Sequence, residues 1–347
     1  MPKSRKRKPA DHSRGRRRQG GRPDGPTGVA TVLMNELAPS RDPFGAEVLL
    51  STSFGIAYAS QVFDKQDIVD HLASTMLSKA VTSARPGALE LVAALATVGP
   101  ESIRPLAHAE LERRLAERQA AGRTESSPLV AALTAPISCT AAWLITEPYG
   151  DATQYVATFA REGWLPEHAV VWLVAERSMP IAESLILSDD AAELLEDMRS
   201  LVAAEPGMAM SPIDPAELHA QVRSAMDNEA QVMGPAAEAT DYACGRLLAY
   251  ARLRSLPPAP DLPDLVSIDV KAREEILDRF MASHAVVELL AGVALPDDDA
   301  PDSTVVRSVA SLALDFAADY LGDPMRVSPR TIEMFMLDWL PRKALLD

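Results

Sequence analysis

Residues 136–189 read PISCTAAWLITEPYGDATQYVATFAREGWLPEHAVVWLVAERSMPIAESLILSD. The run is dense in Val, Ile, Thr, Tyr, Phe and Trp, side chains that fit a pleated, half-buried surface, and turn chemistry interrupts it at intervals. Glu147-Pro148-Tyr149-Gly150-Asp151, Glu162-Gly163-Trp164-Leu165-Pro166 and Ser178-Met179 supply those interruptions. They predict four strands, over 137–146, 152–161, 168–177 and 180–187, joined as an antiparallel meander. In the third, Val170, Trp172 and Val174 alternate with Val171, Leu173 and Ala175, so both faces are apolar and the strand belongs in the middle, under helices. Ser188-Asp189-Asp190 then caps a helix running to about Ala204.

On both sides of this block the apolar period is helical. Upstream, Asp42-Pro43 opens a helix with Leu49, Ile56 and Ala59 on one stripe, and a second opens near Asp64 with Ile68, Leu72 and Met76. A third carries Leu89, Val92, Leu95 and Val98 and stops at Gly99-Pro100; a fourth, over 101–121, carries Ile103, Leu106, Leu111 and Leu115. Downstream, Asp214-Pro215-Ala216-Glu217 is an N-cap signature, and further helices follow over 236–256, from Asp269, over 304–321 and over 329–340. The last has Ile332, Phe335, Met336, Trp339 and Leu340 as one apolar stripe, Ser328 as cap and Pro341 as stop.

The expected fold is therefore α+β, mainly helical, with one small antiparallel four-stranded meander in the middle and a disordered basic N-terminal tail. Four regions follow: a tail over 1–27, a helical region over 28–135, the sheet with its helix over 136–205, and a helical region over 206–347. With 47% hydrophobic but only 5% aromatic residues, the core must rest on Ala, Leu, Val, Ile and Met, which favours helices over an aromatic-rich sandwich.

Cys139 and Cys244 are too few for a disulfide framework, and a reducing, cytoplasmic compartment is expected. No apolar run approaches the roughly 18 residues of a membrane span, and Gly, Pro and Asp, not an apolar segment, follow the basic start, so neither membrane span nor signal peptide is expected.

The net charge of −15 is unevenly placed: residues 1–25 hold ten Lys or Arg against two Asp, which is +8 and leaves −23 for the rest. So few apolar side chains cannot offset the entropy of ordering such a tail. Lys3, Arg5, Lys6, Arg7, Lys8, Arg14, Arg16, Arg17 and Arg18 are the candidate nucleic-acid contacts, set against a tail that only solvates.

Catalytic signatures are missing. There is no GxxxxGK[ST], no GxGxxG after a strand, no HExxH and no GxSxG, so no cofactor is expected. His12, His71, His108, His168, His219 and His284 are scattered without ligand spacing, so no metal site is expected either. Cys139 and Cys244 read as buried structural thiols and His168 as an exposed turn residue. Asp297, Asp298, Asp299 and Asp302 read as a solvated acidic loop, lacking the glycine and terminal Glu of a calcium loop. In Asp338-Trp339-Leu340-Pro341-Arg342-Lys343 the Trp joins the apolar stripe, while Asp338, Arg342 and Lys343 are the candidate surface for docking a protein partner.

The order of Asp42-Pro43, Tyr149-Gly150-Asp151, the valine-rich third strand, Arg326-Val327-Ser328-Pro329 and the terminal run Leu337-Asp338-Trp339-Leu340-Pro341-Arg342-Lys343 resembles a family of uncharacterised actinobacterial proteins. The likeness spans residues 42–347 and is sharpest at DWLPRK. It implies no activity, cofactor or substrate. Family members carry His-Asn-Leu-Gly-Gly after the third strand, where this chain has Glu176-Arg177-Ser178-Met179-Pro180, and often a further helical stretch after the terminal run.

Two functions are weighed from these features: a non-enzymatic cytoplasmic binding or adaptor protein whose basic arm contacts nucleic acid, and an enzyme with a pocket between sheet and helices lined by His168, Glu176 and Asp151.

Overall fold

A computed structural model describes residues 25–59, 64–123, 127–231, 240–262, 269–291, 302–322 and 326–344. The chain starts with six helices: α1 (Gly25–Leu37), α2 (Pro43–Ala59), α3 (Lys65–Thr82), α4 (Ala88–Val98), α5 (Arg104–Ala120) and α6 (Pro128–Thr134). Four strands follow, β1 (Ile137–Thr146), β2 (Ala152–Arg161), β3 (Trp164–Ala175) and β4 (Ile181–Ser188), then α7 (Ala191–Ala204) and β5 (Ala209–Pro212). The helices α8 (Pro215–Gln231), α9 (Thr240–Leu253), α10 (Val270–Met281), α11 (His284–Leu290), α12 (Ser303–Phe316), α13 (Pro329–Met334) and α14 (Leu340–Ala344) complete it, with π-helical turns at Ala317–Leu321 and Phe335–Trp339.

The fold is α+β, and its single sheet is antiparallel with order β4-β3-β2-β1-β5. The expected meander is present, but the sheet has five strands, not four. β5 pairs only with the end of β1, from Trp143 opposite Pro212 to Thr146 opposite Ala209. Four residues without apolar alternation carry no strand signal, and an outer position is where a strand tolerates proline. The third strand also begins earlier than expected. Arg161 pairs with Trp164 across Glu162-Gly163, so the turn closes in two residues, with Gly163 at φ 77.

β3 is buried on both faces. Val170, Trp172 and Val174 face one side, where Tyr155, Ala157 and Phe159 of β2 join Leu218, Val222 and Met226 of α8 and Tyr242, Ala249 and Leu253 of α9. Val171 and Val156 face the other, against Leu195 and Met198 of α7. Asp190 caps α7 by accepting from the N–H groups of Ala192 and Glu193.

α9 joins the two halves of the molecule. Ala243, Leu247 and Leu248 enter the core built by α1 to α6, while Tyr242, Ala249 and Leu253 enter the sheet core. Backbone contact with α2 makes this possible: a Cβ on Gly55 would sit 2.4 Å from the carbonyl oxygen of Ala243 and from Cα of Cys244. Only glycine fits there.

Several helical details differ from the sequence reading. Residues 25–27, assigned above to the tail, belong to α1, whose Ala30, Leu33, Met34 and Leu37 are buried at helical spacing. The remainder of the tail, 1–24, and Asp297, Asp298 and Asp299 lie outside the described residues. α6 was not expected; it is too short to show a period. In α2 the buried face is Ala46, Glu47, Leu50, Ser51, Phe54 and Tyr58, and Ile56 is 65% exposed. The helix is apolar nearly all round, so hydropathy could not choose its face, and two of the buried residues are polar. Leu106, expected on the buried stripe of α5, is likewise exposed.

Pro341 does not stop the last helix, which continues to Ala344. The π turn at Phe335–Trp339 precedes it, where an α ladder would have lacked the bond proline cannot donate. That wider turn also changes the phase of the stripe. Phe335 and Trp339 pack on Phe316 at 5.6 and 5.7 Å between ring centroids, while Ile332 and Met336 are exposed.

Candidate functional site

Two clusters of charged side chains lie against α9. The first is closed. Glu47 of α2 is fully buried and divides its carboxylate between two guanidiniums, Oε1 accepting from Arg161 at 2.5 Å and Oε2 from Arg252. Arg161 also donates to the carbonyls of Ala132 and Leu133 at 2.8 and 3.1 Å. Nε of Arg252 donates to Nε2 of His168 at 2.5 Å, which fixes the imidazole as a neutral acceptor with its proton on Nδ1. His168 lies between Phe44 and Phe159, at 4.9 and 5.6 Å between ring centroids. Burial, and then the positive charge of Arg252 and Arg161, push its pKa down to about 2. The histidine read as an exposed turn residue is thus a 5% exposed strand residue, because β3 reaches past it to Trp164.

The second cluster opens to solvent. Tyr242, Arg246 and Tyr250 are spaced i, i+4, i+8 on α9 and therefore share a face. The Arg246 guanidinium lies over the rings of Tyr58 and Tyr250, 4.5 and 4.9 Å from Cζ to the centroids. Arg246 is only 7% exposed, yet its Nε has no hydrogen-bond partner, and Nη1 reaches the side-chain oxygen of Gln66 only at 3.5 Å. Beneath it Glu229 accepts from Tyr58 at 2.8 Å and lies 3.8 Å from Lys65. Lys65, Arg246 and Glu229 are all buried. Burial pushes the phenols of Tyr58, Tyr242 and Tyr250 upward, so they stay protonated; Tyr58 donates to Glu229 and Tyr250 to Asp227, while the Tyr242 hydroxyl has no partner among the described residues.

Arg246 also lines a cleft of about 410 Å³ between α3, the α4–α5 loop, α8 and α9. Arg223, Arg246 and Arg254 supply cations, and Asp70, Glu101 and Asp227 supply carboxylates. Asp227 is already engaged, accepting from Arg223 at 2.7 Å and from Tyr250 at 2.9 Å. Asp70 accepts from Gln66 at 2.9 Å and from Ser102 at 2.8 Å, both on Oδ1. None of these residues was singled out from the sequence as a site. The legible signal was the tyrosine-arginine-tyrosine spacing within α9.

The residues that were singled out do not converge. His168 and Glu176 stand at opposite ends of β3, since His168 pairs with Phe159 and Ala175 with Ala152. Asp151 and Glu176 do meet, at a polar seam with the C-terminal helices. There Ser328 donates to Asp151, and Arg326 donates to the carbonyls of Gly150, at 3.1 Å, and Glu176. The space beside them is about 20 Å³, enough for a water and not for a substrate. Two stretches quoted for the family likeness, Tyr149-Gly150-Asp151 and Arg326-Val327-Ser328-Pro329, are therefore neighbours that hold each other. Asp338 and Arg342 form an exposed i,i+4 ion pair on the last helical segment, and the side chain of Lys343 lies outside the described ones. Cys139 and Cys244 are half-buried, not fully buried as expected.

No known family model matches this chain, and neither a curated protein nor a solved structure matches it. Among the described residues no group of three His, Cys, Asp or Glu could hold a metal ion, and no helix is long and apolar enough to cross a membrane.

Proposed function

We propose that the protein is a non-enzymatic binding protein whose cleft between α3, the α4–α5 loop, α8 and α9 holds a small anionic molecule. One observation carries this reading: Arg246, more than nine-tenths buried, lines the cleft, and its Nε–H has no hydrogen-bond partner among the described residues. An unpaired buried donor is costly, and a bound anion satisfies it. Guanidinium donors lie in its plane, a fork matched to carboxylate or phosphate. Titration calorimetry of the full chain with inorganic phosphate and with short carboxylic acids tests it. Binding is expected that Arg246→Met removes while the thermal melting profile keeps its cooperative form. Binding unchanged in Arg246→Met would overturn the cleft assignment.

The basic arm gives this protein a second contact, with nucleic acid, and the partition of charge into +8 within residues 1–25 and −23 elsewhere supports it. In the chain the arm precedes α1, whose buried face is tied into the main core. A gel shift compares the full chain with one lacking residues 1–24, which leaves α1 whole. The full chain is expected to bind non-specifically with a salt slope of about −0.9 per neutralised phosphate. Equal binding by both chains, or by neither, would end this part of the proposal.

A further inference from the structure

The cleft is bipolar. Asp70 accepts from both Gln66 and Ser102 on Oδ1, so among the described residues its Oδ2 is left without a hydrogen-bond partner. Gln66 stands between this carboxylate and Arg246, giving its N–H to Asp70 at 2.9 Å and offering its oxygen to Arg246 at 3.5 Å. One amide group and two hydrogen-bond legs thus span the distance from Nη1 of Arg246 to Oδ1 of Asp70. A molecule bearing a carboxylate and an ammonium on one carbon, with one charge-assisted hydrogen bond of about 2.8 Å at each end, covers a span of the same kind.

Resting on the anion-cleft reading above, we infer that the ligand is a compact zwitterion of the amino-acid type, its carboxylate on the guanidinium of Arg246 and its ammonium on the carboxylate of Asp70. A purely anionic ligand would meet two carboxylates across the cleft, Asp70 and the exposed Glu101, neither of which has an arginine within ion-pair distance among the described residues. A zwitterion converts that repulsion into attraction. Ser102 and Gln66 hold Asp70 in place, which makes them positioning residues. The volume, about 410 Å³, lies within the usual range for small-molecule sites, and Leu247, Pro100 and the ring of Tyr250 give a side chain an apolar wall.

The test titrates the full chain with each of the twenty L-amino acids, then compares the tightest binder with its des-amino carboxylic acid and its des-carboxy amine. The amino acid is expected to bind at least about ten-fold tighter than either, a difference of about 1.4 kcal/mol. Asp70→Asn should erase that preference, with the des-amino acid bound at least as tightly as to the unaltered chain, and Ser102→Ala, which keeps the charge, should retain the preference. If the des-amino acid or inorganic phosphate binds as tightly as any amino acid, the zwitterion inference falls and the anion cleft stands. If nothing binds, or if Arg246→Met binds as the unaltered chain does, both fall together. The comparison of analogues uses the unaltered chain, so it decides the matter even if Asp70→Asn does not fold.

Discussion

α9 buries two arginines, Arg246 at its middle and Arg252 near its C-terminal end, and the two differ in what answers the charge. Arg252 meets Glu47 and His168, while Arg161 on the far side of the same carboxylate is shared with two backbone carbonyls. Arg246 meets two aromatic rings, one distant amide oxygen and a cleft. Burial is nearly equal, at 0% and 7% exposure, so burial alone does not tell a structural arginine from a binding one. Satisfaction and access together do, since the indole N–H of Trp172 is also unpartnered among the described residues yet lies in the sheet core. A closed network holds helices and strands in register, whereas a buried arginine with an unmet donor beside a cleft is a candidate address for something that arrives from outside.

The sharpest way to break this contrast is at Glu47. Glu47→Gln would leave two buried guanidiniums without a counter-charge, and a loss of about 3–5 kcal/mol is expected in urea unfolding. A loss under about 1 kcal/mol would mean that the network does not anchor α2 to the sheet.

Next comes pH. The folded-state pKa of His168 lies below its unfolded value of about 6.5, so the unfolded chain takes up a proton that the native one refuses. Its contribution is therefore complete above about pH 6.5 and is lost at about 1.4 kcal/mol per pH unit as pH falls towards the folded value. Urea midpoints measured from pH 7 to pH 5 should fall accordingly, and His168→Gln should flatten the dependence by one proton. An unchanged slope would show that His168 is not held neutral.

Arg246 should behave in the opposite way to Glu47. Arg246→Met removes a buried charge whose partners are rings and a weak amide contact, so stability should change by less than about 1 kcal/mol, or rise, while ligand binding is lost. A large destabilisation would place Arg246 with the structural arginines. The smallest effect belongs to Asp338→Asn, which breaks an exposed pair and should cost less than about 0.5 kcal/mol in the same assay. Were it larger, the terminal helical segment would depend on that pair.

How far each part was legible follows from the same physics. The meander could be seen because Val170, Trp172 and Val174 alternate with Val171, and because Gly150 and Gly163 punctuate the run. β5 could not, since a four-residue outer strand gets its pairing from β1 and has no alternation of its own. The faces of α2 and of the terminal helical segment were misjudged for two different reasons: the first is apolar all round, and the second passes through a π turn that shifts its phase. Of the cleft, only the spacing of Tyr242, Arg246 and Tyr250 stood in the sequence. Gln66, Asp70, Ser102 and Glu229 are distant in the chain and carry no local mark of belonging with them.

Taken alone, the order of residues determined the kind of fold, the order of β1 to β4, the caps at Asp190 and Ser328, and the separation of a basic arm from an acidic body. These are local quantities, set by period, turn chemistry and charge within a few residues of one another. Tertiary structure alone decided that α9 would run between two cores, that Gly55 would let it touch α2, and that one buried arginine would be answered while another was left open. Those outcomes depend on which distant side chains arrive beside a charge once water has been removed, and no window of sequence contains that information.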